Sequence, residues 1–169
     1  MFIAKRWLTM TRDVMLDARL KPLIDGLDRV APRFEFDAGQ IDVLQDPTEF
    51  YSTLKRKIAS AQARIFISSL YIGKNQSELI ECISYALENR PNLKVHILTD
   101  ALRGTREAPE QSSASLLAQL MQDYEHRVDI RMYHTPHLHG LTRKVVPRRF
   151  NEGFGLQHMK IYGFDDEVI

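Results

Sequence analysis

The run Arg64-Ile65-Phe66-Ile67-Ser68-Ser69-Leu70-Tyr71-Ile72, closed by Gly73, constrains the fold more than any other stretch of the chain. It is rich in β-branched and aromatic residues and nearly continuous in its apolarity, which reads as a central strand covered on both faces. Such a strand needs helices packed against it, and its neighbours carry helical patterns. Upstream, Asp46-Pro47-Thr48-Glu49 is a helix start: the Asp46 carboxylate caps, Pro47 suits the first helical position, and Glu49 closes a capping box. Phe50, Leu54, Ile58 and Ala61 then form one apolar stripe, leaving Lys55, Arg56 and Lys57 to solvent. Downstream, Gly73-Lys74-Asn75 lacks Walker spacing and reads as a strand-to-helix turn. A helix over 76–89 follows with Leu79, Ile80, Ile83 and Leu87 inward, stopped by Arg90-Pro91-Asn92. Leu93 to Thr99 alternates as a strand ending at Asp100, with His96 an ordinary strand residue. A helix over 114–124 presents Leu116, Leu117, Leu120 and Met121, and Val128 to Met132 is another strand. Strands alternating with helices predict an α/β fold with a mixed sheet flanked by helices.

Ahead of this pattern, Met10 to Asp28 allows one or two amphipathic helices interrupted by Pro22, residues 31–39 read as a connector, and Ile41 to Leu44 as a short strand. The domain boundary is placed near residue 40, with 1–40 as helical lead and connector and 41–169 as the α/β domain. Met1 to Arg12 carries Lys5, Arg6 and Arg12 without an acid, plus Phe2, Ile3, Trp7 and Leu8. That is half of a mitochondrial targeting pattern, which Asp13 and Asp17 interrupt. No apolar run approaches the ~20 residues that span a bilayer, so if the protein handles lipid it does so from the membrane surface. The lone Cys82 excludes an intrachain disulfide and suits a buried apolar position. A hydrophobic share of 44% argues against low-complexity disorder.

The net charge of +1 conceals a basic segment, because from Arg127 to Lys160 seven Lys/Arg face only Asp129 and Glu152. It should attract nucleotides, small phosphates or acidic lipid headgroups. Arg103 and Arg106 follow the carboxyl end of a predicted strand, where open α/β sheets bind ligands, and read as anion-site candidates or as a solvated loop. Arg143, Lys144, Arg148 and Arg149 surround Val145-Val146 ahead of Phe150. They suit a phosphate or a lipid surface, and equally a solvated basic face. His134, His137 and His139 lie within six residues, yet Pro136 marks an irregular loop and no nearby cysteine or helical His pair completes a zinc set. No metal is expected there.

The chemistry concentrates in Gly155-Leu156-Gln157-His158-Met159-Lys160-Ile161-Tyr162-Gly163-Phe164-Asp165. Read as a strand, it projects His158 and Lys160 from one face and Met159 and Ile161 from the other. A bend at Gly163 would let Asp165 return towards the same end. An imidazole that can attack, an ammonium for phosphate oxygens and an orienting carboxylate form a minimal set for phosphoryl transfer.

This H-x-K-x-x-x-x-D spacing resembles the phospholipase D superfamily. Tyr133-His134-Thr135-Pro136, Pro147-Arg148-Arg149-Phe150-Asn151-Glu152 and Gly155 to Lys160 are similar to the branch that transfers a phosphatidyl group from CDP-diacylglycerol to glycerol 3-phosphate. The similarity runs from about Ile41 to the last residue. It implies a layered α/β/α half-domain, one per motif, with His158 as nucleophile, Lys160 on the non-bridging oxygens and Asp165 holding the motif's hydrogen-bond network. It makes His134 a candidate for lining the pocket, which joins Arg103, Arg106, Arg148 and Arg149, read from position and charge, as the substrate-binding candidates. It also implies no required cofactor, no nucleic-acid partner, a mitochondrial location at the inner-membrane surface, and a role leading to phosphatidylglycerol and cardiolipin. The superfamily uses a second motif, and none of His96, His126, His134, His137 and His139 has Lys two positions later. The chain is therefore expected to be the N-terminal half of a longer enzyme, inactive alone and completed by a second half-domain or a homodimer. The competing expectations are a homodimeric phospholipase D-like nuclease or phosphodiesterase, and a non-catalytic interaction fragment.

Overall fold

The structure is a computed structural model that describes residues 18–34, 36–37, 39–73, 76–106 and 112–169, the side chains of Arg148 and Arg149 excepted. The chain divides into two units, Met1–Val43 and Leu44–Ile169. In the first, a 3-10 turn at Ala18–Leu20 leads into helix α1, Lys21–Leu27, with Pro22 in its opening turn, where a missing N–H costs nothing. The basic stretch Met1 to Arg12 lies outside the described residues. The strand expected at Ile41 to Leu44 does not form. Ile41 and Val43 are exposed, and no described strand pairs with them.

The second unit is a five-stranded mixed sheet in the order β3-β2-β1-β4-β5. Strands β1 (Arg64–Ser68), β2 (Lys94–Asp100) and β3 (Val128–Tyr133) are parallel. Strand β4 (Ile161–Phe164) runs antiparallel to β1, and β5 (Glu167–Val168) antiparallel to β4. Helix α2 (Pro47–Ser60) leads into β1, α3 (Ser77–Asn89) connects β1 to β2, and α5 (Ser113–Asp123) leads into β3. Between β2 and α5 stands the single turn α4 (Ala101–Gly104), and after β3 come α6 (Gly140–Val145) and a 3-10 segment, Arg148–Phe154.

The start of α2 follows from its sequence. Asp46 Oδ1 accepts hydrogen bonds from the amides of Thr48 (2.7 Å) and Glu49 (2.8 Å). Glu49 Oε2 accepts from the Gln45 amide at 2.6 Å, so the reciprocal bond closes one residue ahead of the cap. Leu54 and Ile58 of α2, Leu79, Ile83 and Leu87 of α3, and Leu117 and Leu120 of α5 pack with Ile65, Ile67, Val95, Ile97, Val128 and Phe164. Each such side chain contributes roughly 1.5–3 kcal/mol through removal from water. Lys55 and Lys57 are not left to solvent: Lys55 reaches Glu78 on α3 at 2.7 Å, and Lys57 pairs with Glu167.

Strand β1 does not have both faces covered. Ile65 and Ile67 are buried, but Phe66 is 38% exposed, and Lys94 and His96 beside it on β2 are also exposed. The apolar run looked continuous because Leu70 and Ile72, past the end of the strand, are buried by the loop after it. Since β1, β2 and β3 are parallel and β4 enters antiparallel, three carboxyl ends and the start of β4 meet at one edge. In open α/β sheets that edge is where ligands bind.

Candidate active site

The predicted strand over 155–165 is shorter than expected. β1 pairing ends at Ser68 opposite Ile161, so residues before Ile161 have no ladder partner. Side chains hold them instead. The Gln157 amide donates to Asp100 Oδ2 at 3.0 Å, and Gln157 Nε2 donates to Ser68 Oγ and to the Met159 carbonyl at 3.3 Å. Ser68, Asp100 and Gln157 are 0%, 1% and 5% exposed, forming a buried polar floor at the ends of β1 and β2. His158 therefore sits between two tethered residues with its side chain exposed, and its imidazole makes no hydrogen bond among the described residues. Lys160 Nζ donates to the His158 carbonyl at 2.9 Å, which holds the ammonium against the backbone of His158.

Asp165 is placed differently from the sequence expectation. It does not return to the His158 end, because β4 lies between them and the carboxylate sits at the amino end of β1. Its Oδ2 accepts from the Gln62 amide (2.8 Å), and its Oδ1 accepts from the amides of Ala63 (2.8 Å) and Arg64 (2.9 Å). The Asp165 carbonyl also accepts from Arg64 Nε at 2.7 Å. Its φ of 51° is left-handed, a conformation that Asp tolerates better than most residues. Burial pushes the carboxyl pKa up, but the amides of Gln62, Arg64 and Ala63 outweigh it and hold the group below the usual carboxylate range.

The other candidates gather beside a cavity of about 800 Å³ at the same edge, whose lining includes Arg106, His134, Arg143, Asn151 and Glu152. Arg106 pairs with Glu152, and Arg103 Nε stands 3.3 Å from Glu152 Oε2. His134 Nδ1 donates to the Thr135 carbonyl at 3.0 Å, leaving Nε2 as the ring's acceptor. The buried Thr135 hydroxyl donates to the Phe154 carbonyl at 3.1 Å, tying the loop after β3 to the 3-10 segment. His139 is the residue ahead of α6, where its ring bonds the Pro136 carbonyl. The backbone of Arg148 and Arg149 opens the 3-10 segment, and their side chains lie outside the described set. Among the described residues no group of His, Cys, Asp and Glu is arranged to hold a metal ion. Sequence reasoning gave Ser68 and Asp100 no role at the site, and had Gln157, Asn151 and Glu152 only inside the runs that carry the resemblance, with Glu152 the lone acid among Arg143 to Lys160.

A mixed sheet with a His-x-Lys pair at the edge where its parallel strands end defines a phospholipase D-like α/β domain. The phosphatidylserine synthase of Haemophilus influenzae shares this fold, with a TM-score of 0.65 and 26% identity over 89% of this chain and 32% of that one. No family model matches the sequence. The CDP-diacylglycerol–glycerol-3-phosphate 3-phosphatidyltransferase of Schizosaccharomyces pombe is 56% identical over 143 residues, 85% of this chain and 28% of the relative. The Saccharomyces cerevisiae protein of the same name is 57% identical over 137 residues, covering 80% and 26%. The human one, named as mitochondrial, is 38% identical over 148 residues, covering 83% and 26%. Over the span it shares with them, the chain is similar to these CDP-diacylglycerol–glycerol-3-phosphate 3-phosphatidyltransferases, and it spans 26–28% of their length.

Proposed function

We propose that this chain supplies the phosphatidyl-accepting histidine of an enzyme that transfers a phosphatidyl group from CDP-diacylglycerol to glycerol 3-phosphate, releasing CMP. The observation that carries the reading is the exposed His158 imidazole, set between the tethers of Gln157 and Met159, with Lys160 held to its carbonyl. An imidazole nitrogen attacks the phosphorus bonded to diacylglycerol; an N–P bond forms as the P–O bond to CMP breaks. Lys160 lies on the same edge to meet the non-bridging oxygens, whose charge builds in the transition state. The 1-hydroxyl of glycerol 3-phosphate then attacks the same phosphorus, the N–P bond breaks, and phosphatidylglycerophosphate leaves.

Each half-reaction also moves a proton, to the departing CMP and from the attacking hydroxyl. Asp165 is committed to the amides of Gln62, Ala63 and Arg64 at the other end of β4, so it does not serve. A second imidazole from another half-domain or a second copy of the chain completes the pair. A seat on anionic lipid at the mitochondrial inner membrane is supported by Leu141, Val145 and Phe150, which are exposed beside Arg143 and Lys144. Among the described residues no helix is long and apolar enough to cross a membrane.

The test is incubation of the full-length protein with CDP-diacylglycerol labelled in the phosphatidyl phosphate. Acid-labile label should appear on the wild type, be lost in His158→Ala, and be discharged to phosphatidylglycerophosphate when glycerol 3-phosphate is added. Wild-type turnover in His158→Ala removes His158 from the mechanism.

A further inference from the structure

The cavity beside the His158 edge contains more polar chemistry than a simple anion hole. Its cations, Arg106 and Arg143, share the space with a carboxylate, Glu152, and with the Asn151 carboxamide. Glu152 takes Arg106 on Oε1 and lies 3.3 Å from Arg103 Nε on Oε2, so one carboxylate is shared by two guanidinium groups and among these described residues positive charge is left over. Among the described residues one polar atom of the lining, the acceptor Asn151 Oδ1, is buried without a hydrogen bond, while Arg103, which is not part of the lining, has its Nε ion-paired with Glu152. Buried polar atoms are rarely left unmatched, and a site that sets guanidinium donors beside an unfilled acceptor suits a ligand with complementary groups.

We propose that this cavity is the acceptor seat and that it takes a short polyol phosphate, the arginines holding the phosphate while Asn151 and Glu152 accept hydrogen bonds from the hydroxyls. The proposal rests on the transfer reaction above and adds to it where the acceptor binds and how it is recognised. A phosphate alone satisfies the guanidinium donors but offers Asn151 Oδ1 no hydroxyl and meets repulsion from Glu152. A polyol alone offers nothing to the residual charge. Only a molecule with both groups matches the lining, and phosphate bound by paired guanidinium donors is the strong form of such a contact. Glu152 also keeps Arg103 and Arg106 side by side before the ligand arrives, so less side-chain freedom is lost on binding.

The seat is fixed to the nucleophile through one buried carboxylate. Asp100 Oδ1 accepts from the amides of Leu102 (2.9 Å) and Arg103 (3.0 Å), and its Oδ2 accepts from the amide of Gln157, the residue before His158, at 3.0 Å. The backbones of Arg103 and of Gln157, the residue before His158, thus hang from opposite oxygens of the same side chain, which ties the cavity's rim to the segment that carries the nucleophile.

Equilibrium binding to the chain should be measured with glycerol 3-phosphate, inorganic phosphate and glycerol as separate probes. The wild type is expected to bind glycerol 3-phosphate most tightly. Arg106→Gln should weaken glycerol 3-phosphate and phosphate alike, by about ten- to a hundredfold, as for a lost charge-assisted contact. Asn151→Leu should weaken glycerol 3-phosphate about tenfold and leave phosphate as it was. Should Arg106→Gln not fold, Arg106→Lys, which keeps the charge and loses the fork, should give an intermediate loss. Equal wild-type affinity for phosphate and glycerol 3-phosphate, or wild-type affinity in Asn151→Leu and in the Arg106 variant that folds, overturns the assignment. In the full-length enzyme, Asn151→Leu should raise KM for glycerol 3-phosphate and prolong the life of the labelled His158 species. Labelling with an unchanged KM in that variant refutes the seat and spares the reaction. Absence of label on wild-type protein that shows the predicted binding pattern refutes the reaction and spares the seat.

Discussion

Replacement of Asp165 separates a structural clamp from a chemical group. In the structure its carboxylate accepts three main-chain hydrogen bonds, from Gln62, Ala63 and Arg64, where the chain enters β1. A hydrogen bond to an ionised group contributes ~1.5–3 kcal/mol net, and partial rehydration of the released amides lowers the sum, so Asp165→Ala should cost about 3–5 kcal/mol. Part of that cost is backbone: with φ at 51°, alanine adds ~1 kcal/mol that glycine avoids, so Asp165→Gly should be the milder of the two. Asp165→Asn keeps one acceptor and tolerates the left-handed conformation, so it should cost about 1–3 kcal/mol. The carboxyl's folded pKa is lowered, so its stabilisation is complete above the unfolded value near ~3.9 and is lost as pH falls through the folded value. The gap between wild type and Asp165→Asn in urea unfolding should therefore be widest near neutral pH and close in acid. An Asp165→Asn protein within ~0.5 kcal/mol of wild type that has nonetheless lost all turnover would refute the clamp and give the carboxylate a chemical role.

Two further perturbations test the floor and the core. Gln157→Leu leaves Ser68 Oγ and the Met159 carbonyl without their side-chain donor, and should cost about 1–3 kcal/mol in urea unfolding and slow the labelling of His158. Ile83→Ala opens a cavity at a fully buried position between α3 and the sheet, and should lower the unfolding free energy by about 2–5 kcal/mol without changing the electrophoretic or spectroscopic signature of the native fold.

What the sequence showed plainly was whatever is local. The alternation of strands and helices, the Asp46 cap and the His158–Lys160 spacing each depend on residues within one or two turns of one another. The open face of the sheet was hidden because apolarity does not say whether a residue such as Ile72 is buried in a strand or in the loop after it. Helix α6 was missed because its support is a reciprocal bond pattern between His139 and Thr142, not an apolar stripe. Asp165 could not be given its partners from sequence, since Gln62 to Arg64 lie 101–103 positions away. Glu152 acquires its role from Arg106, 46 positions earlier, and from Arg103 beside it. Arg103 and Arg106 were legible as candidates because loops at the carboxyl ends of parallel strands converge whatever their sequences.

The placement of Asp165 explains why a fixed interval can matter to a motif whose carboxylate sits at the far end of a strand from its histidine and lysine. Between Lys160 and Asp165 lie only the four residues of β4, Ile161 to Phe164, each opposite a residue of β1 from Ser68 back to Ile65. Locking Asp165 to the amides ahead of β1 fixes one end of this ladder, and therefore fixes which residue emerges at the other. A slip of one position would move the chain by ~3.3 Å and turn every side chain to the opposite face. Gln157 would then leave both Asp100 and Ser68, and the His158–Lys160 pair would shift with it. The carboxylate thus governs the chemistry through register, with the rigidity of a short antiparallel strand carrying its effect to the histidine at the far edge.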